Sequence, residues 1–548
     1  MRPFQADGTF NTIAAGKELR RTAVRGAGAA IAGATGNFIV QMGSVVILAR
    51  LLTPADFGLV TMVTTFSLFL RSFGMNGFLE LIMQREELTE SLASNLFWIN
   101  VSVGTILTLV FACCGPLLAL FYHTPDVVKI TQGMSLTIAI GSLGYVHMGL
   151  LQRAMRFRVI AIISLTGQIF QYAFSIGLAI AGWHYWALVL GSVAQIATVS
   201  LGSLIVCKWI PRWPRRVAGT GSGLKFAMNV YSHFAFSYAT RNTDNLLIGW
   251  RFGERALGFY KRAYDLFVLP ESQLLVPLSA VAVSTLSRVN SDREQFQRCF
   301  LRIISVLALV GMGVGVDFAL VGEDIIRFLF GPGWEQAGRI FALFGPGIGV
   351  MLLYNTHGWI HLSIGKPERW FRWSLLEFLC TASLFLLTLH WGPSGVAFAW
   401  TASYFLLMFP GFWYAGKPVD LRMGTVLGAI WKFFIASAVS GCATAVLVRV
   451  IPFLEPASDT WGSLVRMVLI SCIFVGLYCG GVIVLHRGTK PLSETAILLR
   501  DFLPARTIRS NSTTAIRPEE HQSFGRGKKE DSSQSEFAVF SGDKDSGA

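Results

Sequence analysis

Apolar runs of bilayer length recur from residue 26 to residue 486, separated by short polar turns. A membrane-spanning helix needs ~20 such residues. About fourteen runs qualify: 26–49, 57–82, 92–121, 130–151, 159–181, 184–207, 224–250, 263–287, 300–321, 338–363, 371–391, 394–415, 428–451 and 462–486. The pattern predicts an all-α polytopic membrane protein. The turns sort by charge. Lys17, Arg20, Arg21 and Arg25 precede the first run, and alternate turns carry Arg153, Arg156 and Arg158, then Lys208, Arg212, Arg215 and Arg216. Further along come Arg288, Arg293 and Arg298, then Lys366, Arg369 and Arg372. The intervening turns, such as 181–186 and 391–395, are nearly uncharged. The positive-inside rule then places both termini in the cytoplasm. One turn departs: residues 251–262 hold Arg251, Arg255, Lys261 and Arg262 against Glu254 on the expected outer side. Either the span count slips there, or these charges answer to something other than insertion.

Within the seventh run the pattern is broken by Arg241, Asn242, Asp244 and Asn245. A charge at bilayer depth costs at least ~2.5–3.5 kcal/mol, so such residues are expected to face another helix or a wet cavity. Arg241 and Asp244 are three apart and share a helix face. They form an internal ion pair, or Arg241 holds an anionic group of a cargo, such as a phosphate, with Asp244 orienting it. A guanidinium suits phosphate because its planar fork donates to two oxygens at once. Arg71, midway along the second run, is a further candidate to line the cleft, while Glu80 near the end of that run is expected at the interface. Glu377 reads as a buried partner for a loop Arg, and Asp317 as interfacial. Glu323 and Asp324 read as solvated loop charges. His147, His233, His357 and His361 read as interhelical contacts rather than proton relays.

The chain also repeats itself. LARLLTPADFGLV at 48–60 resembles IGWRFGERALGFY at 248–260, aligning Gly58 with Gly258. LFYHTPDVV from Leu120 resembles LFGPGWEQA from Leu329, and GWHYWALV from Gly182 resembles GPSGVAFA from Gly392. The order is kept at an offset of about 200–210 residues. Two parallel six-helix bundles follow, a plan typical of transporters, with a cleft between them. The expected layout is a cytoplasmic segment 1–25, a first bundle 26–216, a second bundle 217–420, two added helices 421–486, and a disordered cytoplasmic tail 487–548.

Composition narrows the function. Of 548 residues, 53% are hydrophobic and 14% charged, against ~25% charged in soluble domains, so one large soluble core is excluded. A net charge of +14 would suggest nucleic acid in a soluble protein; here the basic residues cluster beside spans and no nucleic-acid partner is expected. The eight cysteines show no metal spacing and read as packing residues. No GxxxxGK[ST] loop occurs, so ATP hydrolysis is not expected; no catalytic site, metal or cofactor is expected either. The polar N-terminus is too long for a cleaved signal.

Four stretches carry a family resemblance: ARLLTPADFGLVTMVTTF at 49–66, IMQREELTESLASNLFWIN at 82–100, TRNTDNLLIGWRFGERALGFYKRAYDL at 240–266 and LPESQLLVPLSAVAVSTLSR at 269–288. Together they resemble the polysaccharide transporter family, oligosaccharide flippases of the multidrug/oligosaccharidyl-lipid/polysaccharide exporter superfamily. The resemblance spans roughly residues 20–480. It implies two six-helix lobes in a V with two added helices, in a bacterial inner membrane. It implies transfer of undecaprenyl-pyrophosphate-linked oligosaccharide for exopolysaccharide, capsule or lipopolysaccharide synthesis, alongside a polymerase and other assembly proteins. It also implies a cationic central cavity, carried over here to Arg241 and Arg71, with Asp244 and Asn242 as polar neighbours. Glu80 and the charged tail depart from the family pattern. The rival readings are a cation-coupled multidrug exporter, which would want an acidic cleft, and a membrane polymerase or ligase, which would want a long outer loop with placed acids.

Overall fold

The computed structural model describes residues 3–5, 7–10, 17–72, 79–84, 88–215, 220–451, 460–493 and 495. Residues 1–495 form one compact unit; 496–548 form a second, outside the described residues, so the expected tail lies mostly there. Glu80 sits on a described helix, but its side chain, like that of His233, lies outside the description.

The described residues are almost entirely helical, as the apolar runs require where no water satisfies backbone groups. The first half comprises α1 (Lys17–Leu51), α2 (Pro54–Ser72), α3 (Leu79–Gln84), α4 (Glu90–Cys113), α5 (Gly115–Tyr122), α6 (Val127–Arg153), α7 (Phe157–Ile180) and α8 (Tyr185–Cys207). The second comprises α9 (Thr220–Phe267), α10 (Val276–Arg288), α11 (Arg293–Phe330), α12 (Glu335–Tyr354), α13 (His357–Ser363), α14 (Pro367–Thr388) and α15 (Gly392–Gly416). Two last helices follow, α16 (Met423–Val450) and α17 (Thr460–His486). Among the described residues, eleven helical stretches are long and apolar enough to cross a membrane. The expected fourteen exceed this partly because residues 368–419 count as one stretch although they hold both α14 and α15, broken at Leu389–Trp391.

Each half is organised on one central helix. α6 packs against α2, α4 and α8; α12 packs against α9, α11 and α15. These two carry the most buried candidate spans. α16 and α17 lie on α11 and on each other. That seam is pinned by an ion pair between Arg466 of α17 and Asp324, and by Ser471 donating to Asp317 at 3.1 Å. Both acids were expected at the surface. Instead α11 runs on to Phe330, so Glu323 and Asp324 lie on a helix, and Asp324 is only 3% exposed.

The sequence repeat has a physical counterpart in the backbone. A Cβ built on Gly58 would meet the carbonyl oxygen of Glu254 at 1.7 Å, and one on Gly258 would meet the carbonyl oxygen of Pro54 at 1.8 Å. The contact is reciprocal at an offset of 200 residues: each half's glycine seats the backbone of the other half's helix start. Gly182 and Gly392, also paired by the repeat, both take left-handed φ values, 79° and 75°. The glycine runs at 311–315 and 345–349 face each other, letting α11 and α12 approach backbone to backbone.

The anomalous basic turn at 251–262 is not a loop. Gly253 alone, at φ 79° and ψ −174°, folds α9 back, and helix continues on both sides. Such a backbone is open only to glycine without strain. Two of the charges that broke the loop rule are engaged within the fold: Lys261 and Arg262 both reach Asp265, at 2.7 and 3.2 Å, and Arg262 lies 4.4 Å over the Phe57 ring of the first half.

The glycine seam gives a direct test. Gly58→Ala drives a methyl into a carbonyl and is expected to cost about 1–3 kcal/mol. Gly428→Ala, whose Cβ meets nothing within 4 Å, is expected to be neutral or slightly stabilising. Thermal unfolding of the purified proteins compares them; equal melting points would contradict the close crossing.

Candidate functional site

The site grows from the bend at Gly253. Asp244 lies on the arm before it and Tyr260 on the arm after it. The Tyr260 hydroxyl donates to Asp244 Oδ2 at 2.7 Å, and Trp400 Nε1 of α15 donates to the same oxygen at 3.1 Å. The backbone N–H of Asn245 donates to Oδ1 at 2.7 Å. Asp244 is fully buried. A carboxylate there is tolerable only because every partner is a donor.

Arg241 and Asp244 therefore do not pair, although they share a helix face. Arg241 turns to Glu271, its Nη2 3.6 Å from Oε1, and keeps 62% of its side chain exposed. Glu271 begins a short π-helical segment, Glu271–Leu275, just after Pro270. A π-turn widens the helix locally and is often found where a side chain must be re-aimed for function. The exposure of Arg241 is to a cavity of about 480 Å³ walled by the second half, with Glu271, Glu377, Tyr264, Asn355, His357 and Trp400 among its lining. Glu377 thus shares a cavity with Arg241 instead of meeting a loop Arg. Among the described residues one guanidinium and two carboxylates line this space, so it is of mixed sign.

The remaining candidates separate. Asn242 donates to the Tyr238 carbonyl of its own helix at 2.9 Å and accepts from Asn245 at 3.2 Å, so its amide is engaged locally, away from the cavity lining. Arg71 occupies the last turn of α2, half-buried, outside that lining. Phe69, two residues earlier, packs in a tilted contact on Tyr238 of α9 at 6.1 Å between ring centres, so the end of α2 lies against the helix that carries Arg241. Among the described residues no carboxylate lies within ion-pair distance of Arg71. Of the histidines, His147 lies 3.2 Å from the carbonyl of Leu143 on its own helix and 3.2 Å from that of Trp209 in the segment after α8, so its partners are not on a neighbouring helix as expected. His357 instead lines the cavity, and Glu271 was missed. An acid set between Pro270 and an apolar run was the signal available for it.

A membrane protein of many helices with a charged, aromatic-walled cavity inside it is the class this structure defines. Its fold is similar to that of a lipid II flippase, MurJ, in an inward closed conformation, with a TM-score of 0.67 at 15% identity over 83% of this chain and 99% of that one. It is also similar to an inward-facing multidrug resistance MATE family transporter of the MOP superfamily, with a TM-score of 0.57 at 12% identity, over 70% and 94% of the two chains. The sequence profile of the family described as polysaccharide biosynthesis protein matches residues 47–339, and the chain belongs to that family. Relatives include the teichuronic acid biosynthesis protein TuaB of Bacillus subtilis (strain 168), 24% identical over 67% of this chain and 76% of the relative. The succinoglycan biosynthesis transport protein ExoT of Rhizobium meliloti (strain 1021) is 24% identical over 66% of this chain and 73% of its own length.

The two charged positions are expected to respond differently to truncation. Tyr260→Phe leaves a buried carboxylate short of a donor and should cost about 1–3 kcal/mol. Arg241→Ala breaks an open, water-facing pair and should cost no more than about 1 kcal/mol. Melting curves of the two purified variants check this; a larger loss for Arg241→Ala would make that residue a structural one.

Proposed function

We propose that the chain is a flippase for lipid-linked oligosaccharide, moving undecaprenyl-pyrophosphate-linked repeat units across a bacterial inner membrane for polysaccharide synthesis. One observation carries the reading: Arg241, in a stretch apolar enough to span, keeps its guanidinium open to an internal cavity. A pyrophosphate cannot enter hydrocarbon bare, because the loss of hydration around even one charge is prohibitive. Arg241 replaces that hydration. Its pairing with Glu271 is long, 3.6 Å, and single-pronged, which leaves guanidinium N–H donors for phosphate oxygens. Arg71, at the adjoining end of α2, is the second cation the phosphates meet. Asp244 and Asn242 act from behind, holding the helix that presents Arg241. Membership of a polysaccharide biosynthesis family supports the pathway, and the naming of one relative as a transport protein supports transport over synthesis.

In this reading residues 26–216 and 217–420 are two six-helix bundles that rock about the Gly58–Gly258 seam, with 421–486 added helices and both termini cytoplasmic. The chain makes and breaks no bonds in its cargo; polymerisation belongs to a partner in the same assembly pathway. Glu271 and Glu377 favour a second reading, a cation-coupled multidrug exporter, since carboxylates in a cavity suit a cationic cargo.

Reconstitution in vesicles with a fluorescent short-chain lipid-linked glycan tests both. Wild-type protein is expected to expose the probe in the opposite leaflet. Arg241→Ala, at equal incorporation, is expected to slow this at least tenfold, and Arg241→Lys to recover part of it, losing the bidentate contact but keeping the charge. Unchanged transfer by Arg241→Ala would remove the phosphate role. Transfer of cationic dyes in place of the glycan lipid would favour the exporter.

A further inference from the structure

The chain leaves α8 on a segment that belongs to no helix. Residues 208–215, KWIPRWPR, run from the end of α8 towards α9. Lys208 turns the chain off the helix with a left-handed φ of 45°. Pro211 and Pro214 fix their own φ and push Ile210 and Trp213 into extended backbone. An extended strap cannot satisfy its own backbone groups, and α4 does so instead. The Arg212 N–H donates to Ser94 Oγ at 3.1 Å, and Trp98 Nε1 donates to the Arg212 carbonyl at 2.9 Å. The Asn95 side chain donates to the Arg215 carbonyl at 2.6 Å and accepts from the Arg215 N–H at 3.0 Å. Glu90, in the first turn of α4, pairs with the Arg212 guanidinium at 2.9 Å. Trp209 is buried among residues of α4, α6 and α8. The strap is therefore held in one place from behind.

What it presents outward does not suit water alone. Ile210 is 85% exposed and Trp213 is 79% exposed, with one indole face stacked on Trp98 at 5.4 Å. Lys208, Arg212 and Arg215 are exposed beside them. Among the described residues, neither Lys208 nor Arg215 meets an acid within ion-pair distance. The apolar helix α8 ends at Cys207, so the strap stands within a few residues of the hydrocarbon edge. Its end of the molecule is the one the basic turns assign to the cytoplasm. Three surroundings can be compared. Water hydrates the cations but leaves Ile210 and Trp213 bare. An acidic protein answers the cations, but it would have to reach side chains that stand at headgroup depth. Anionic headgroups meet both demands. Their phosphates take the cations, and an indole ring favours the boundary between headgroup and acyl chain.

We propose that residues 208–215 form a binding site for anionic phospholipid headgroups, with Lys208 and Arg215 on lipid phosphates and Ile210 and Trp213 inserted beside them. The site takes resident lipid of the membrane, so it does not depend on what the chain carries. Because the strap is tied to α4 and leads towards α9, bound lipid steadies the point from which the second half departs.

The test uses full-length protein in nanodiscs that hold phosphatidylglycerol and phosphatidylcholine in equal amounts. A photoreactive benzoylphenylalanine replaces Ile210, and each lipid is radiolabelled in turn. The probe is expected to label phosphatidylglycerol at least about threefold over phosphatidylcholine. Lys208→Gln with Arg215→Gln leaves the Arg212–Glu90 pair and the α4 hydrogen bonds in place, and is expected to bring the ratio close to one. Raising the salt from about 0.1 to about 1 M, which shortens the screening length from ~10 to ~3 Å, is expected to lower the ratio without any change of charge on the protein. The same probe at Trp391, 60% exposed in a nearly uncharged turn at the other end, is expected to show a ratio near one throughout. A ratio of one at position 210 in the otherwise unaltered chain overturns the site. So does a preference that survives both the double variant and salt, or an equal preference at position 391. In native membrane vesicles the adduct at position 210 is expected to be lipid; a protein adduct in its place assigns the strap to a protein partner and overturns the lipid site.

Discussion

The fold depends on how one buried carboxylate is kept solvated by protein. Asp244 has no access to water, and an isolated carboxylate there would be prohibitive. Tyr260, Trp400 and the Asn245 N–H surround it with donors. These partners come from different elements, so satisfying Asp244 also fixes where they stand. The two arms of α9 are tied across the Gly253 bend, and both are tied to α15. Tyr264 and Phe267, further along the second arm, continue the same seam, Tyr264 in a tilted contact with Trp400 and Phe267 stacked on Phe344. The site is therefore held by polar obligation on one side and aromatic packing on the other. In a medium where apolar packing between helices carries little hydrophobic drive, that division of labour is what gives helices a unique arrangement.

Arg241 is the consequence of that arrangement. With Asp244 already saturated by neutral donors, the guanidinium one turn earlier is released from its neighbour on the helix face. It turns toward the cavity and meets Glu271 on the arm that folds back. A helix face shared by opposite charges ordinarily gives a local pair. Here a bend of a single residue supplied each charge with a different partner, and left the cation open.

The reciprocal glycine seam shows how a duplicated half can make its own interface. Gly58 admits the backbone at Glu254, and Gly258 admits the backbone at Pro54. Each contact is the other's copy, as a two-fold relation requires. The seam is tight, and long side chains brace it: Arg262 lies 4.4 Å over Phe57, and Trp334 donates to the Ala49 carbonyl at 2.9 Å.

Much of this was readable from residue order. Hydropathy reports which solvent a segment meets, so the helical runs, the polytopic class and the family followed from local pattern. The repeat was visible too, because Gly58 and Gly258, and Gly182 and Gly392, do backbone jobs that few other residues can do. The partner of Arg241 was not readable. Glu271 lies 30 residues away and reaches it only because Gly253 reverses the chain and a π-turn re-aims the acid. Asp324 likewise read as a solvated loop charge until α17 brought Arg466 to it from 142 positions downstream. Hydropathy and spacing describe each residue against its medium and its neighbours in the chain. Which donor meets which acceptor across helices is set by bends and crossings, and these exist only once the chain has packed.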